Sequence, residues 1–194
     1  MDSRTRLVRA AQVAESKATT DIRRKCFLSY HGADIDEVAE FVEEFSDVFI
    51  PRVIGVSEDD PFIDSEDDDY VLGRIQSKYM WDSTVTIVLI GGCTWSRRFV
   101  DWEIYSSLRN DRNNKRNGLL GMQLPSVDGD SVSIPARLSE NVDSEGDAYA
   151  DYWRYTSSAS VLRDRIEQAL LARTTKAQFI APAKPRRKRN ASCS

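Results

Sequence analysis

The sequence has little that would support a secreted, membrane-spanning or metal-binding protein. Its 194 residues include one histidine and three cysteines. Cys26, Cys93 and Cys193 are widely spaced and form no Cys-x-x-Cys pair, which argues against a disulfide framework and against a zinc site. The apolar run at 85–92 is strand-sized, far below the ~20 residues of a membrane span. The N-terminus lacks an apolar segment before a cleavage site, so we expect a reduced, cytoplasmic protein.

Nucleotide-binding signatures are also missing. The sequence contains neither the phosphate-binding loop GxxxxGK[ST] nor the GxGxxG turn of a dinucleotide-binding domain, so neither type of site is supported. The strongest predicted strand runs into Gly91-Gly92-Cys93-Thr94 and has no aspartate at its tip. A phosphoacceptor receiver domain needs an aspartate at that point. The sequence therefore argues against a receiver domain.

Charge is distributed unevenly along the chain. The sequence has 27 Lys and Arg against 31 Asp and Glu, a formal net charge of −4. Residues 1–25 carry +4 and residues 173–194 carry +7, so the part between them carries −15. We predict a flexible or partly helical extension at 1–24, a folded domain at 25–173 and a disordered basic tail at 174–194. The polybasic run in this tail raises the idea of nucleic-acid contact, but a solvated tail is the preferred interpretation.

Apolar periodicity predicts strands that alternate with helices. Pro51 lacks a donor for a sheet, which indicates that the second strand lies near an edge. Asp34 is the expected N-cap of the first helix of the folded domain. Alternating strands and helices favour parallel pairing, so we predict an α/β fold with a small doubly wound, flavodoxin-like sheet. The predicted strands are Cys26–Tyr30, Val48–Ile54, Thr84–Ile90 and Gly118–Leu124, a short one near Val132–Ile134 stays open, and the predicted helices span about 35–45, 71–79, 97–108 and 157–173.

The carboxyl ends of the first and third strands define a candidate ligand crevice. In doubly wound sheets, ligands bind where the strand order reverses, at the carboxyl ends of the strands. If these two strands flank that point, the crevice is lined by Tyr30-His31-Gly32 and by the segment from Gly91 to Thr94. Cys93 and His31 could then form a nucleophile and base, although buried cysteines at strand ends are mostly inert packing, which is the favoured interpretation.

Glu103 is the most informative charged residue of the chain. It lies one step from the apolar side of the predicted third helix, so its carboxylate can lean into the crevice; a solvated glutamate is the ordinary alternative. Arg97 and Arg98, at the start of the same helix, could bind a phosphate there, where the helix N-terminus also favours anions. Two exposed arginines are the alternative for this pair.

Three sequence blocks resemble a known family. They are Phe27-Leu-Ser-Tyr-His31 followed by an acidic helix, Val85-Thr-Ile-Val-Leu-Ile-Gly91, and Thr94-Trp-Ser-Arg-Arg-Phe-Val-Asp-Trp-Glu-Ile104. Together they are similar to the TIR-like domains of bacterial Thoeris anti-phage systems, over about residues 25–124. The third block is the most specific.

The resemblance implies a flavodoxin-like enzyme that cleaves NAD⁺ at the nicotinamide–ribose bond and makes a cyclic ADP-ribose-type signal. It implies that Glu103 is catalytic, that Tyr30 and His31 line the pocket, and that Phe62 lies on a loop that folds over the ligand. To these we add Gly91, Arg97 and Arg98 as substrate-binding candidates, and Trp102 as an aromatic for stacking on adenine, although each aromatic is individually more typical of a core.

The implied partners are NAD⁺ as substrate, an effector protein reached through the diffusible signal, and a phage protein as trigger. We expect no metal, no separate cofactor and no membrane contact; a homo-oligomer is compatible with the family. The acidic segment at 57–69 departs from the pattern, since it would repel a pyrophosphate unless nearby arginines offset it. The alternative function is a non-catalytic TIR-like module that binds a protein partner.

Overall fold

Five parallel strands form the central sheet of the protein, which we describe from a computed structural model. It describes residues 2–54, 70, 73, 74, 77, 80–110, 115–142 and 148–193. The strands of this described part are β1 (Arg24–Ser29), β2 (Phe49–Arg52), β3 (Val85–Ile90), β4 (Gly118–Gln123) and β5 (Asp151–Trp153). Its helices are α1 (Ser3–Ser16), α2 (Ile35–Glu44), α3 (Arg98–Leu108), α4 (Ala136–Ser139) and α5 (Ala159–Thr175).

The strand order is β2-β1-β3-β4-β5, with every pair parallel. The chain moves outward from β1 to β2 and then returns to the other side of β1, so the order reverses between β1 and β3. This confirms the predicted α/β fold with a doubly wound, flavodoxin-like sheet. Pro51 lies on β2, at the edge of the sheet, where its missing N–H costs no ladder bond.

Alternation along β1 divides its side chains between the two faces of the sheet. Cys26 and Leu28 pack into the larger apolar cluster, which also contains residues of α1, α2 and α5. Phe27 packs on the opposite face against Trp102 of α3. Ser29 follows Phe27 by two residues, so its hydroxyl is directed towards α3 as well. This alternation brings a polar group of the first strand under the helix that carries Glu103.

Two elements differ from the predicted pattern. The described chain has no strand at Val132–Ile134; β5 instead pairs Asp151–Trp153 with β4, in the aromatic-rich stretch that follows. The N-terminal extension is helical as α1, which Asp2 caps by accepting a 3.0 Å hydrogen bond from the Thr5 N–H. Small residues let this helix lie close to α2, and its buried face belongs to the main core.

The predicted helix around 71–79 lies mostly outside the described residues. Within that range, the described residues Gly73 and Arg74 are helical. Along the described chain, no helix is long and apolar enough to cross a membrane.

The C-terminal tail differs most from its prediction. Instead of a disordered segment, the chain after α5 folds back along α4 and α3, and we call its residues 184–193 the strap. Arg137 of α4 donates to the carbonyl oxygens of Lys184 and Pro185 at 3.3 and 3.1 Å. Charge and proline content favour disorder only while the backbone lacks partners, and here distant residues supply those partners.

A disulfide between Cys93 and Cys193 joins the end of the strap to the segment after β3, with 5.8 Å between the Cα atoms. This corrects two expectations: that no disulfide forms, which was drawn from cysteine spacing, and that Cys93 is inert packing, which was drawn from its place at a strand end. Spacing along the sequence carries no information about a contact between residues 100 positions apart. Cys26 is a free thiol, buried in the core.

Candidate active site

The switch point of the sheet lies between the carboxyl ends of β1 and β3, where the sequence predicts the ligand crevice. Ser29, the last residue of β1, is paired with Val88 of β3. Tyr30 and His31 continue the chain from β1, while Gly91 to Thr94 continue it from β3. The segments of the predicted crevice are therefore neighbours, and α3 begins shortly after the second of them.

Glu103 is buried beside this crevice. It lies on α3 and is only 7% exposed. The Ser29 hydroxyl donates a 2.5 Å hydrogen bond to Oε2 of Glu103. Burial raises the pKa of Glu103 to about 8, and the Ser29 bond opposes part of that rise because it favours the charged form. The ordinary alternative, a solvated surface glutamate, does not describe this residue.

Tyr30 lies within the electrostatic reach of Glu103. Its ring packs against the main apolar cluster, and the residue is partly buried. Burial is the larger cause, and the Glu103 carboxylate the second cause, of a pKa well above the ordinary value of a tyrosine hydroxyl. Tyr30 is therefore a neutral phenol at pH 7.

His31 and Arg97 lie within electrostatic reach of each other at the switch point. Burial lowers the pKa of His31, and the positive charge of Arg97 lowers it further, while Asp34 opposes the shift. The imidazole is therefore neutral at pH 7. Within the described part of the chain, Nδ1 of His31 and Nε of Arg97 are both buried and have no hydrogen-bond partner. These two polar atoms are available to a ligand at the switch point.

Asp34 lies beside the switch point and has a different role from the helix cap that the sequence predicts. It occupies the N-cap position of α2 but makes no side-chain cap bond. Its carboxylate instead accepts a 3.3 Å hydrogen bond from the Thr94 hydroxyl, across the crevice. Burial is the main cause of a pKa above the ordinary value for this aspartate. An aspartate just before a helix has the same sequence pattern whether its carboxylate caps that helix or faces the crevice. The pattern alone therefore does not show which of these roles Asp34 has.

Gly91 lies against the same carboxylate. A Cβ atom added at Gly91 would lie 2.6 Å from Cγ of Asp34, closer than real Cβ atoms approach other heavy atoms. Its N–H donates to the Thr94 hydroxyl at 2.9 Å. The absence of a side chain at Gly91 therefore leaves room for the Asp34 carboxylate beside the end of β3.

Arg98 and Trp102, two further predicted site residues, lie on α3. The Arg98 guanidinium stacks over the rings of Phe99 and Trp102, with 4.7 and 5.4 Å to the ring centroids. Trp102 is 1% exposed and packs against Phe27. The structure therefore brings Tyr30, His31, Arg97 and Glu103 to the crevice and places Trp102 in the apolar core. Phe62 lies outside the described residues.

The start of α3 is occupied by the strap. The Arg98 N–H donates to Oδ1 of Asn190 at 2.9 Å, so one of the N–H groups expected to bind a phosphate already has a partner. Of the two adjacent arginines, Arg97 remains the one directed at the crevice. The described part of the chain contains no group of three or more His, Cys, Asp or Glu side chains that could hold a metal ion.

Comparison with known families decides the assignment. The family model for the Thoeris protein ThsB, TIR-like domain, matches residues 27–128, more than half of the chain. The protein belongs to this family. The ThsB TIR-like match begins within β1 and ends shortly after β4, so it includes Ser29, Asp34, Arg97 and Glu103. The strap lies outside it, and a search of curated proteins finds no match for the chain.

Proposed function

We propose that this ThsB TIR-like domain cleaves NAD⁺ between nicotinamide and ribose, with Glu103 as the catalytic group. The supporting observation is a carboxyl group that is 7% exposed, bonded to Ser29, and set beside the switch-point crevice. No cation pairs with it among the residues that the structure describes. A buried carboxyl group with a strongly raised pKa in a cleft is typical of functional sites.

Substrate binding and ionisation of Glu103 are coupled in this proposal. With a pKa of about 8, the group is mostly neutral at pH 7 in the free protein. The nicotinamide ring of NAD⁺ is positively charged, and an opposite charge within ~4–6 Å favours the ionised form of a carboxyl group. Bound NAD⁺ therefore lowers the pKa of Glu103 and creates the carboxylate where it is needed.

Cleavage breaks the bond between C1′ of the ribose and the ring nitrogen of nicotinamide. The electron pair of this bond leaves with nicotinamide, which becomes neutral, so no acid is needed for its departure. The ribose acquires the oxocarbenium character known from glycoside hydrolysis. A fixed Glu103 carboxylate stabilises this positive charge and accepts hydrogen bonds from the ribose hydroxyls.

The product depends on what then attacks C1′. Attack by an adenine nitrogen, with loss of a proton from the adenine, closes a cyclic ADP-ribose-type product; attack by water gives ADP-ribose. Cyclisation needs the adenine folded back over the sugar, and Tyr30, which follows β1 directly, is our candidate for stacking on it. Arg97 and His31 are our candidates for the pyrophosphate, and Phe62 for the loop that covers the ligand.

Membership of the ThsB TIR-like family supports a role in anti-phage defence. In this proposal the cyclic nucleotide diffuses to an effector protein and activates it during phage infection, after a phage protein has triggered synthesis. The rival function, a module that only binds a protein partner, gives no reason for a buried carboxyl group at the switch point.

Mass spectrometry tests the proposal. Purified protein is incubated with NAD⁺, and nicotinamide, ADP-ribose and cyclic products are quantified, with extracts of infected cells that express the protein analysed in parallel. We expect nicotinamide and a cyclic product in equal amounts, both absent with Glu103→Gln. A defence phenotype that survives Glu103→Gln would favour the interaction module.

A further inference from the structure

The strap supplies the N-terminal cap of α3. The N-cap residue of this helix is Arg97, and its own side chain makes no cap bond. Oδ1 of Asn190 accepts the Arg98 N–H at 2.9 Å instead, from 92 positions along the chain. Asparagine is among the best capping residues, and here it acts from outside the helix.

The strap also contacts α3 on both sides of this cap. The Trp102 ring N–H donates to the Arg187 carbonyl oxygen at 2.8 Å, and the Arg187 N–H donates to Oδ2 of Asp101 at 2.8 Å. Just before the helix, the Ser96 carbonyl oxygen accepts hydrogen bonds from the Ala191 N–H and from the Arg187 guanidinium, both at 2.9 Å. Residues that precede Arg97 and residues adjacent to Glu103 are thus held by one segment.

The two halves of the strap are held by different means. Residues 184–187 are bound by Arg137 and Asp101, which form a buried ion pair with 2.9 Å between Nε and Oδ1. The half that contains Asn190 has two hydrogen bonds to the start of α3 and is then fixed by the disulfide between Cys93 and Cys193. The disulfide therefore secures the cap.

We infer that the strap is a positioning element of the candidate active site, and that the Cys93–Cys193 disulfide makes its cap on α3 dependent on redox state. The inference rests on the proposed function, because α3 carries Arg97 and Glu103. Asn190 is the positioning residue, and it acts through the backbone of the helix. In reducing compartments disulfides are usually transient and redox-sensing, which suits a cap that can be released.

The redox step is thiol–disulfide exchange with a dithiol reductant. A thiolate of the reductant attacks one sulfur of the Cys93–Cys193 bond and forms a mixed disulfide, and the other protein sulfur leaves as a thiolate that takes up a proton. The second thiol of the reductant then closes its own disulfide and releases the remaining cysteine. The protein gains two electrons and two protons, and the reductant loses them.

Release of the Asn190 cap has different consequences for Arg97 and for Glu103. Arg97 is next to the capped N–H, so loss of the cap disorders its position and weakens binding of an anionic substrate. Glu103 lies farther into the helix and is held independently by Ser29. We therefore expect reduction to raise KM for NAD⁺ about fivefold, the size of one cap bond, with kcat within about twofold.

Hydrogen exchange of the first turn of α3 tests the inference without reference to catalysis. The full-length protein is compared in its oxidised and reduced forms, with thiols counted by alkylation after denaturation. We expect one free thiol in the oxidised protein, three after reduction, and about fivefold faster exchange at the Arg98 amide after reduction. Cys193→Ser, the matched control, should show the fast exchange with or without reductant.

Variants of the cap separate positioning from general destabilisation. Asn190→Ala should give the fast exchange even when the disulfide is intact, whereas Asn190→Asp keeps an acceptor and should restore slow exchange. Three free thiols in air-oxidised protein, or equal exchange in the oxidised and reduced forms, would overturn the inference. If exchange responds to redox state but no nicotinamide is released in either form, the proposed function fails and the redox-dependent cap stands.

Discussion

The Ser29 hydroxyl donates a 2.5 Å hydrogen bond to Oε2 of Glu103, and this bond joins the last residue of β1 to the middle of α3. It fixes the one buried glutamate of the described chain at the point where the strand order reverses. The carboxyl group is attached to a helix and hydrogen-bonded to the end of a strand, so it has little freedom to reorient. Such rigid support is what a group that stabilises a developing charge requires.

Removing the Ser29 hydroxyl is the first prediction. This hydrogen bond lowers the pKa of Glu103, so Ser29→Ala should raise that pKa further and move the rise of kcat/KM with pH to higher pH. A hydrogen bond to a charged group contributes about 1.5–3 kcal/mol, which corresponds to a loss of roughly 10–150-fold in kcat at pH 7. The measurement is the pH profile of nicotinamide release.

Thr86→Val is the control for that experiment. Thr86 is another buried hydroxyl residue on the sheet, bonded at 2.6 Å to Ser107 of α3. Its replacement should cost a similar amount of folding stability and leave the pH profile in place. If both variants shift the profile equally, the bond between Ser29 and Glu103 has no special role.

Stability should depend on pH through Glu103. The folded protein holds the pKa of this group near 8, above its ordinary value of 4.5, so between these pH values only the folded state keeps the proton. The contribution is therefore fully present below about pH 4.5 and is lost as pH rises through 8. The loss amounts to roughly 4–5 kcal/mol in the free energy of unfolding, an upper figure at 1.36 kcal/mol for each pH unit.

Urea unfolding of the wild type and of Glu103→Gln at pH 5 and pH 8 measures this difference. The glutamine variant cannot ionise, so it should be the more stable protein at pH 8 and close to the wild type at pH 5. Comparing the two proteins cancels the titration of His31 and Asp34. Parallel pH dependence in both would mean that Glu103 titrates normally.

Gly91 and Gly92 provide a matched pair for the packing of the crevice. Gly91→Ala would force its Cβ against the Asp34 carboxylate, whereas a Cβ at Gly92 meets nothing within 4 Å. We expect Gly91→Ala to lower the free energy of unfolding by about 1–3 kcal/mol, as other overpacked sites do, and Gly92→Ala to change it little. Equal effects of the two substitutions in chemical denaturation would contradict this close approach.

The ion pair between Arg137 and Asp101 should protect the strap from proteolysis. Both side chains are largely buried, and Arg137 also holds the carbonyl oxygens of Lys184 and Pro185. In oxidised wild-type protein, trypsin should cleave slowly at the basic residues 186–189. Arg137→Ala should accelerate that cleavage more than tenfold, since breaking a buried ion pair costs about 3–5 kcal/mol.

Glu140→Gln is the control for the proteolysis experiment. It removes only the ion pair of Glu140 with the exposed Lys184, an interaction worth at most about 1 kcal/mol. Its cleavage rate should stay near that of the wild type. Rapid cleavage of the oxidised wild type would contradict a docked strap.

The sheet and the position of Glu103 were predictable because local pattern encodes them. The apolar run of β3 indicates a strand buried on both faces, and alternation with helices then favours parallel pairing. Glu103 lies between Trp102 and Ile104, both buried, and that flanking pair was the signal that its carboxylate does not face solvent. The resemblance of the block from Thr94 to Ile104 to the TIR-like family indicated the same residue independently.

The strap and the role of Asp34 were not predictable, because their partners lie far away in sequence. Asn190 caps a helix 92 positions earlier, and Cys193 bonds a residue 100 positions earlier. Composition describes such a tail as charged and proline-containing, which favours disorder when no docking surface is known. Asp34 has the sequence of an N-cap, and only the approach of Thr94 and Gly91 shows where its carboxylate lies.

The most direct test of the account is the rate of nicotinamide release from NAD⁺ by Glu103→Gln, compared with Asp36→Asn. Asp36 is an exposed carboxylate on α2, so its amide variant controls for loss of one negative charge. NAD⁺ binding, measured by calorimetry, shows that both variants keep the site. We predict wild-type turnover for Asp36→Asn and a fall in kcat of at least about 100-fold for Glu103→Gln, which is the range for loss of a group that stabilises a transition state. Equal turnover in the two variants would contradict it.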